Sequence, residues 1–214
     1  MEGVEEGLSA EDLAEKLYKE FEKSILPKLL EIPEETKRYL YFMAWLNEEL
    51  ERRDLGRVIV TGGFAVEVYT GRMHRTMDVD VIVEGVNAIK VVETFLTKFS
   101  ERIGRGYLPR YEVLQLKSID IVSPIYGKKA QPTKLLVEGL SIYLEPVEEL
   151  IITYLAGWKY WSATEDRDKA LWLFIAWRDK LNHDHLEKRS REEGVEDYLE
   201  LLKKSVDRIW KEEK

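Results

Sequence analysis

The stretch VIVTGGFAVEVYTGRMHRTMDVDVIV, Val58 to Val83, decides how the rest of the chain is read. It has the pattern of a buried strand (Val58 to Thr61), the glycine pair Gly62-Gly63, a short helix from about Phe64 to Tyr69, a polar loop and a second strand. That second strand carries Asp78 and Asp80 among Met77, Val79, Val81 and Val83. Side chains two apart on a strand share a face, so the two carboxylates stand side by side. Like charges that close raise the pKa of one partner unless something positive neutralises them, and a hard divalent cation such as Mg²⁺ does so. A glycine pair between strand and helix lets backbone approach a ligand, and a helix N-terminus offers N–H groups to phosphate. A phosphate cradle beside metal-binding acids is the equipment of phosphoryl transfer.

The residues Gly62-Gly63-Phe64-Ala65, Tyr69, Gly71-Arg72 and Arg75-Thr76-Met77-Asp78-Val79-Asp80 carry a resemblance. In this order they resemble the nucleotidyltransferase (DNA polymerase β-like) superfamily. Within it they look most like the nucleotidyltransferase toxins of type IV toxin–antitoxin systems and their archaeal and bacterial relatives. The resemblance implies an enzyme that uses Mg²⁺ or Mn²⁺ to move a nucleoside monophosphate from an NTP such as ATP to an acceptor hydroxyl. Asp78 and Asp80 would hold the metal. Asp120, inside the apolar run Ile119-Asp120-Ile121-Val122, looks like the third carboxylate that completes the metal site from a neighbouring strand. Gly62 and Gly63 would hold phosphates, and Arg75, three residues before Asp78, suits bidentate contact with a triphosphate. Lys159 and Asp168 fall roughly where the toxin-like relatives place a lysine and an aspartate facing the nucleotide. Leu171 stands where those relatives often have a second aspartate. Toxin-like members imply an RNA end, for instance a tRNA acceptor, and a cognate antitoxin as partner. A small-molecule nucleotidyltransferase would use the same core, and a protein of this fold that binds nucleotide or a partner without turnover is the alternative. A purely structural acidic scaffold would leave Asp78, Asp80 and Asp120 as costly buried charge.

Composition bounds these readings. The chain has 214 residues, 44% of them hydrophobic, with six tryptophans, which is enough for a substantial core. The absence of cysteine excludes disulfides and thiolate-held zinc. His183 and His185, two apart, do not share a helix face and make no metal site. The acidic start MEGVEEGLSAED is no signal peptide, and no apolar run is long enough for a membrane span, so the expectation is a cytoplasmic protein. A net charge of −8 argues against a broad nucleic-acid footprint. A local rim of Lys117, Lys128, Lys129 and Lys134 remains available to an acidic acceptor.

The order of elements predicts an α+β fold: a nucleotidyltransferase-like mixed sheet core with N-terminal helices and a C-terminal helical bundle. Three regions follow, namely residues 1–56 as helices packing on the core, 57–145 as the core and 146–214 as the helical region. Ser9 and Asp12 form a capping box before Leu13, Leu17, Phe21 and Ile25, a helix ending near Leu30. Pro33 suits the first turn of a second helix, from about Glu34 to Arg53. Val86 to Ile103 reads as helix ended by Gly104 and Gly106, and Tyr111 to Ile125 as strand-like. Two apolar runs within Leu135 to Leu144, split by Glu138-Gly139, read as a hairpin or the last strands of the sheet. Glu145-Pro146 opens a helix, Ser162 to Asp166 breaks it, another runs from about Arg167 to Trp177, and a last one from about Gly194 to the end. Trp158, Trp161, Trp172 and Trp177 follow helical spacing as bundle core.

Overall fold

The computed structural model describes residues 8–212; the acidic stretch 1–7 and the end of the last predicted helix, 213–214, lie outside the described residues. The chain forms two compact units. One comprises the chain up to Phe64, Thr76–Gly127 and Pro132–Leu144; the other comprises Ala65–Arg75, Lys128–Gln131 and the chain from Glu145 onward.

The first unit is built on a mixed sheet. Its strands are β1 (Arg57–Val60), β2 (Asp78–Glu84), β3 (Ser100–Ile103), β4 (Gly106–Pro109), β5 (Ser118–Ser123), β6 (Thr133–Val137) and β7 (Leu140–Leu144). They lie in the order β3-β4-β5-β2-β1-β7-β6. β2 runs parallel to β5 and antiparallel to β1, and β1 runs parallel to β7. This is the α+β fold with a mixed sheet that the element order implies. The helices of this unit are α1 (Ala10–Glu20), α2 (Leu26–Glu31), α3 (Glu35–Arg52), the first residues of α4 (Gly62–Tyr69), and α5 (Ala88–Thr97).

Ser9 caps α1 as its spacing foretells, its hydroxyl accepting from the Asp12 N–H at 3.1 Å. A π-helical turn, Phe21–Ile25, joins α1 to α2 just before Pro27, which cannot donate to the carbonyl four residues back. Pro33 stands ahead of the third helix rather than in its first turn. Glu34 is the cap, accepting from the Thr36 N–H at 3.0 Å. Phe21, Phe42 and Trp45 of the N-terminal segment join one aromatic cluster. Phe21 stacks on Phe99 at 4.9 Å and meets Phe42 and Tyr111, each at 5.5 Å. Such offset and edge arrangements suit the ring quadrupoles. Asn47 of α3, fully buried, pins the centre of the sheet: its side chain donates to the Ser141 carbonyl at 3.0 Å and accepts from the Val58 N–H at 2.8 Å.

Two segments around the β3–β4 hairpin depart from the expected elements. The helix expected to reach Ile103 stops at Thr97, and Ser100–Ile103 instead pairs antiparallel with Gly106–Pro109. Phe99 is drawn into the aromatic cluster, ending the helical stripe, and strand pairing overrides local propensity beyond it. Likewise Tyr111 to Lys117 is not strand: Glu112–Leu114 forms a 3-10 turn, with the Leu114 carbonyl accepting from the Tyr39 hydroxyl. The hairpin of β6 and β7 turns at Glu138-Gly139 as read.

The second unit contains α6 (Val147–Trp161), α7 (Thr164–Trp177), α8 (His183–Glu192) and α9 (Glu196–Glu212). α7 begins three residues earlier than expected, because Glu165 and Asp166 serve as its acidic first turn. α8 had no forecast; Asn182 caps it, accepting from the His185 N–H at 3.0 Å. Glu149 of α6 is fully buried, facing Arg189 Nε at 3.2 Å and His185 Nε2 at 2.9 Å from α8. Trp158 packs edge-on against Tyr198 at 4.7 Å, Trp172 lies 5.6 Å from His74, and Trp177 meets Tyr69 at 5.2 Å. Trp161 departs from the expected core. It is 77% exposed, because α6 ends at Ser162 in the left-handed region and leaves its last residue without cover.

Candidate active site

The centre of the site is the parallel pair β2 and β5. Asp78 pairs in register with Ser118, and Asp80 with Asp120. Strand periodicity then puts Asp78, Asp80, Ser118 and Asp120 on one face of the sheet. Val79, Val81 and Ile119 point the other way into the interior, so the register is fixed by burial. Asp78 and Asp80 are half-buried and Asp120 is 8% exposed.

Each carboxylate is held by short-range contacts. The Thr76 hydroxyl donates to Asp78 Oδ1. The Ser118 hydroxyl donates to Asp120 Oδ1 at 2.9 Å, and Arg105 Nε lies 3.4 Å from Asp120 Oδ2. Asp80 receives a backbone hydrogen bond from Gly63, at the start of α4. Burial first, then the charges of Asp78 and Asp120, push the Asp80 carboxyl up from the usual 3.8 to about 6, against the pull of Arg105 and Gly63.

Two glycines make room for these acids. A Cβ at Gly62 would lie 2.1 Å from Asp80 Oδ2, and Gly62 has φ +60°, a region that side chains rarely adopt. A Cβ at Gly106 would lie 2.1 Å from Asp120 Oδ1. Gly62 was legible as half of a glycine pair. Gly106 and Arg105 were not read as site residues, since in sequence Gly104 and Gly106 resemble helix terminators; the antiparallel pairing of β4 with β5, Tyr107 opposite Ile119, brings them to Asp120.

The remaining candidates distribute as follows. Arg75 is exposed on the loop before β2 and belongs to the second unit, as do Lys159 and Asp168. Lys159 Nζ donates to the Gly194 carbonyl and to Asp197 Oδ1, both at 2.7 Å. Asp168 pairs with its neighbour Arg167 at 2.8 Å. His74 is buried. Of the lysines read as a rim, Lys117 is only 1% exposed and lies inside the first unit, so it presents no charge to an acceptor. Lys128 pairs with Glu145 at 3.2 Å and Lys129 with Glu192 at 2.7 Å.

Three carboxylates, hard oxygen donors of the kind a divalent cation takes, share one sheet face. Among the described residues no group of three or more His, Cys, Asp or Glu side chains is placed so that it could hold a metal ion as it stands. The carboxylates are turned toward Thr76, Gly63, Ser118 and Arg105 instead. Among the described residues no helix is long and apolar enough to cross a membrane.

No protein-family model matches the chain, and no curated protein matches it in sequence. Solved structures that it is similar to include an antigenic nucleotidyltransferase-like protein from Paracoccidioides brasiliensis, at 18% identity over 66% of this chain and 76% of that one, with a TM-score of 0.47. A second is ANT(2″)-Ia in complex with adenylyl-2″-tobramycin, at 15% identity over 72% of this chain and 95% of that one, with a TM-score of 0.47. A third is the solution structure of the antibiotic-resistance factor ANT(2″)-Ia, at 16% identity over 76% and 96%, with a TM-score of 0.46.

Proposed function

We propose that the chain is a divalent-metal-dependent nucleotidyltransferase that moves a nucleoside monophosphate from an NTP to an acceptor hydroxyl. The observation that carries this reading is the juxtaposition of Asp78, Asp80 and Asp120 on one face of adjacent parallel strands. Asp78 and Asp80, with Asp120 completing the set, would hold the cation, Mg²⁺ or Mn²⁺, and Asp120 would help activate the acceptor hydroxyl. When bound, the cation supplies charge neutralisation at the phosphoryl oxygens and a lowered pKa at the attacking hydroxyl. The Gly62-Gly63 turn would offer backbone N–H groups at the start of α4 to a phosphate, the Gly63 N–H once it is released from Asp80. Arg75, Lys159 and Asp168 are proposed nucleotide contacts; for Lys159 this requires release from Gly194 and Asp197. On the toxin-like resemblance the acceptor is an RNA end such as that of tRNA, with a cognate antitoxin as regulator.

The test is transfer of label from each α-³²P NTP, with Mg²⁺ and total tRNA, beside an Asp78→Asn/Asp80→Asn control. Label on RNA that disappears in the control supports the full proposal. Unlabelled RNA with NTP and metal bound removes the RNA acceptor and leaves another acceptor or a non-catalytic binder. Absence of any NTP or metal binding in the unaltered protein sinks the reading.

A further inference from the structure

Lys117 stands in the interior of the first unit with 1% of its surface exposed. A buried ammonium is costly unless it is paired and hydrogen-bonded, and an apolar side chain of similar volume is often tolerated as well or better. What this ammonium touches gives it a purpose. Its Nζ donates to the Thr76 carbonyl, lies 3.2 Å from Glu35 Oε1 at the start of α3, and sits 5.8 Å from the centre of the Phe64 ring. Phe64 directly follows Gly63, and Thr76 enters β2. The same Thr76 donates its hydroxyl to Asp78 Oδ1. The backbone around Lys117 is fixed as well. Its own N–H donates to the Tyr39 hydroxyl at 2.8 Å, and the Ser118 N–H donates to the Met77 carbonyl at 3.0 Å. One buried cation therefore ties α3, the first turn of α4 and the entry to β2 at the point from which Asp78 is presented.

We propose that Lys117 is a positioning residue: through Thr76 it fixes the entry of β2 and thereby the Asp78 carboxylate for a divalent cation. This rests on the reading of Asp78, Asp80 and Asp120 as cation ligands. Groups that orient a metal ligand from behind typically change metal affinity 10–100-fold when removed.

The experiment is calorimetric titration of Mn²⁺, without nucleotide, into the unaltered protein, Lys117→Met, Thr76→Val and the double variant, with far-UV circular dichroism on each. The expected result is Mn²⁺ binding by the unaltered protein and about 10-fold or greater weakening in each single variant. The double variant should be no weaker than the poorer single one, because both substitutions cut the same link. Losses that simply add, or an unchanged affinity in folded Lys117→Met, overturn the proposal while leaving the metal site standing. If Lys117→Met does not fold, Thr76→Val decides: unchanged Mn²⁺ affinity there overturns the link to Asp78, and the 10-fold loss sustains it. Failure of the unaltered protein to bind Mn²⁺ overturns this proposal together with the reading beneath it.

Discussion

Replacing Asp80 by Asn should make the metal-free protein more stable while removing its affinity for a divalent cation. The Asp80 carboxyl is pushed from 3.8 to about 6, chiefly by burial and by the charges of Asp78 and Asp120. Its folded-state value thus lies above the ordinary one, so the folded protein holds this proton more tightly than the unfolded chain does. The stability so gained is present in full below 3.8 and is lost as pH rises through about 6. A rise of about two pH units corresponds to about 3 kcal/mol at 1.36 kcal/mol per unit. Asp80 is only half-buried, and solvent screening reduces this to ~1–2 kcal/mol. Asn stands in for the protonated acid at every pH. In a domain of this size that difference is worth ~2–8 °C in Tm. Thermal unfolding followed by circular dichroism in EDTA should show the gain at about pH 7.5 and lose it near pH 4. Excess Mn²⁺ should raise the Tm of the unaltered protein by mass action and leave that of Asp80→Asn where it was. An equal shift at both pH values, or a destabilised variant at the higher pH, would refute the claim that uncompensated carboxylate charge is stored at this position.

Further substitutions probe other parts of the structure. Gly106→Ala would place a Cβ 2.1 Å from Asp120 Oδ1. It should cost about 1–3 kcal/mol in denaturant unfolding, and the displaced carboxylate should weaken Mn²⁺ binding in the same preparation. Arg189→Ala leaves Glu149, fully buried, without its guanidinium partner. Urea unfolding should report a loss of about 3–5 kcal/mol, and a variant as stable as the unaltered protein would show that His185 alone satisfies the acid. Ser9→Ala removes the cap of α1 and should lower stability by about 1 kcal/mol, with hydrogen exchange rising first at the Asp12 amide that the hydroxyl now accepts from.

What could be read from the sequence follows from the range of the physics behind it. Asp78 and Asp80 share a face because strand periodicity is local, and Ser9 caps its helix because a capping box spans a single turn. That Asp120 would stand in register with Asp80 required the parallel pairing of β2 with β5, which no local pattern encodes. Arg105 and Gly106 stayed hidden for the same reason: the antiparallel pairing of β4 with β5 delivers them, from an interval beside a stretch that looked helical. α8 escaped because HDHLEKRSRE has almost no apolar stripe; a cap and a buried ion network hold it instead. Lysine is usually a surface residue, so nothing in the sequence distinguished Lys117 from Lys128 or Lys129. Only its packing against Glu35, Thr76 and Phe64 does.

The glycines beside the acids make the site and the fold a single constraint. Gly62 concedes both space and backbone angle to Asp80, whereas Gly106 concedes space alone to Asp120. The first therefore tolerates no other residue without backbone strain and a displaced carboxylate together. The second needs only the absence of a side chain. Because each carboxylate fills the volume a Cβ would occupy, it is kept close to backbone and away from bulk water. Burial, together with the charges of Asp78 and Asp120, raises the Asp80 value against the pull of Arg105 and the Gly63 N–H. Lys117 would act on this arrangement through Thr76, whose carbonyl it holds and whose hydroxyl donates to Asp78. A scaffold selected only for stability would gain from neutral residues at these positions. The arrangement instead retains a concentrated negative charge beside a helix N-terminus, which is the property that a cation-bound triphosphate would use.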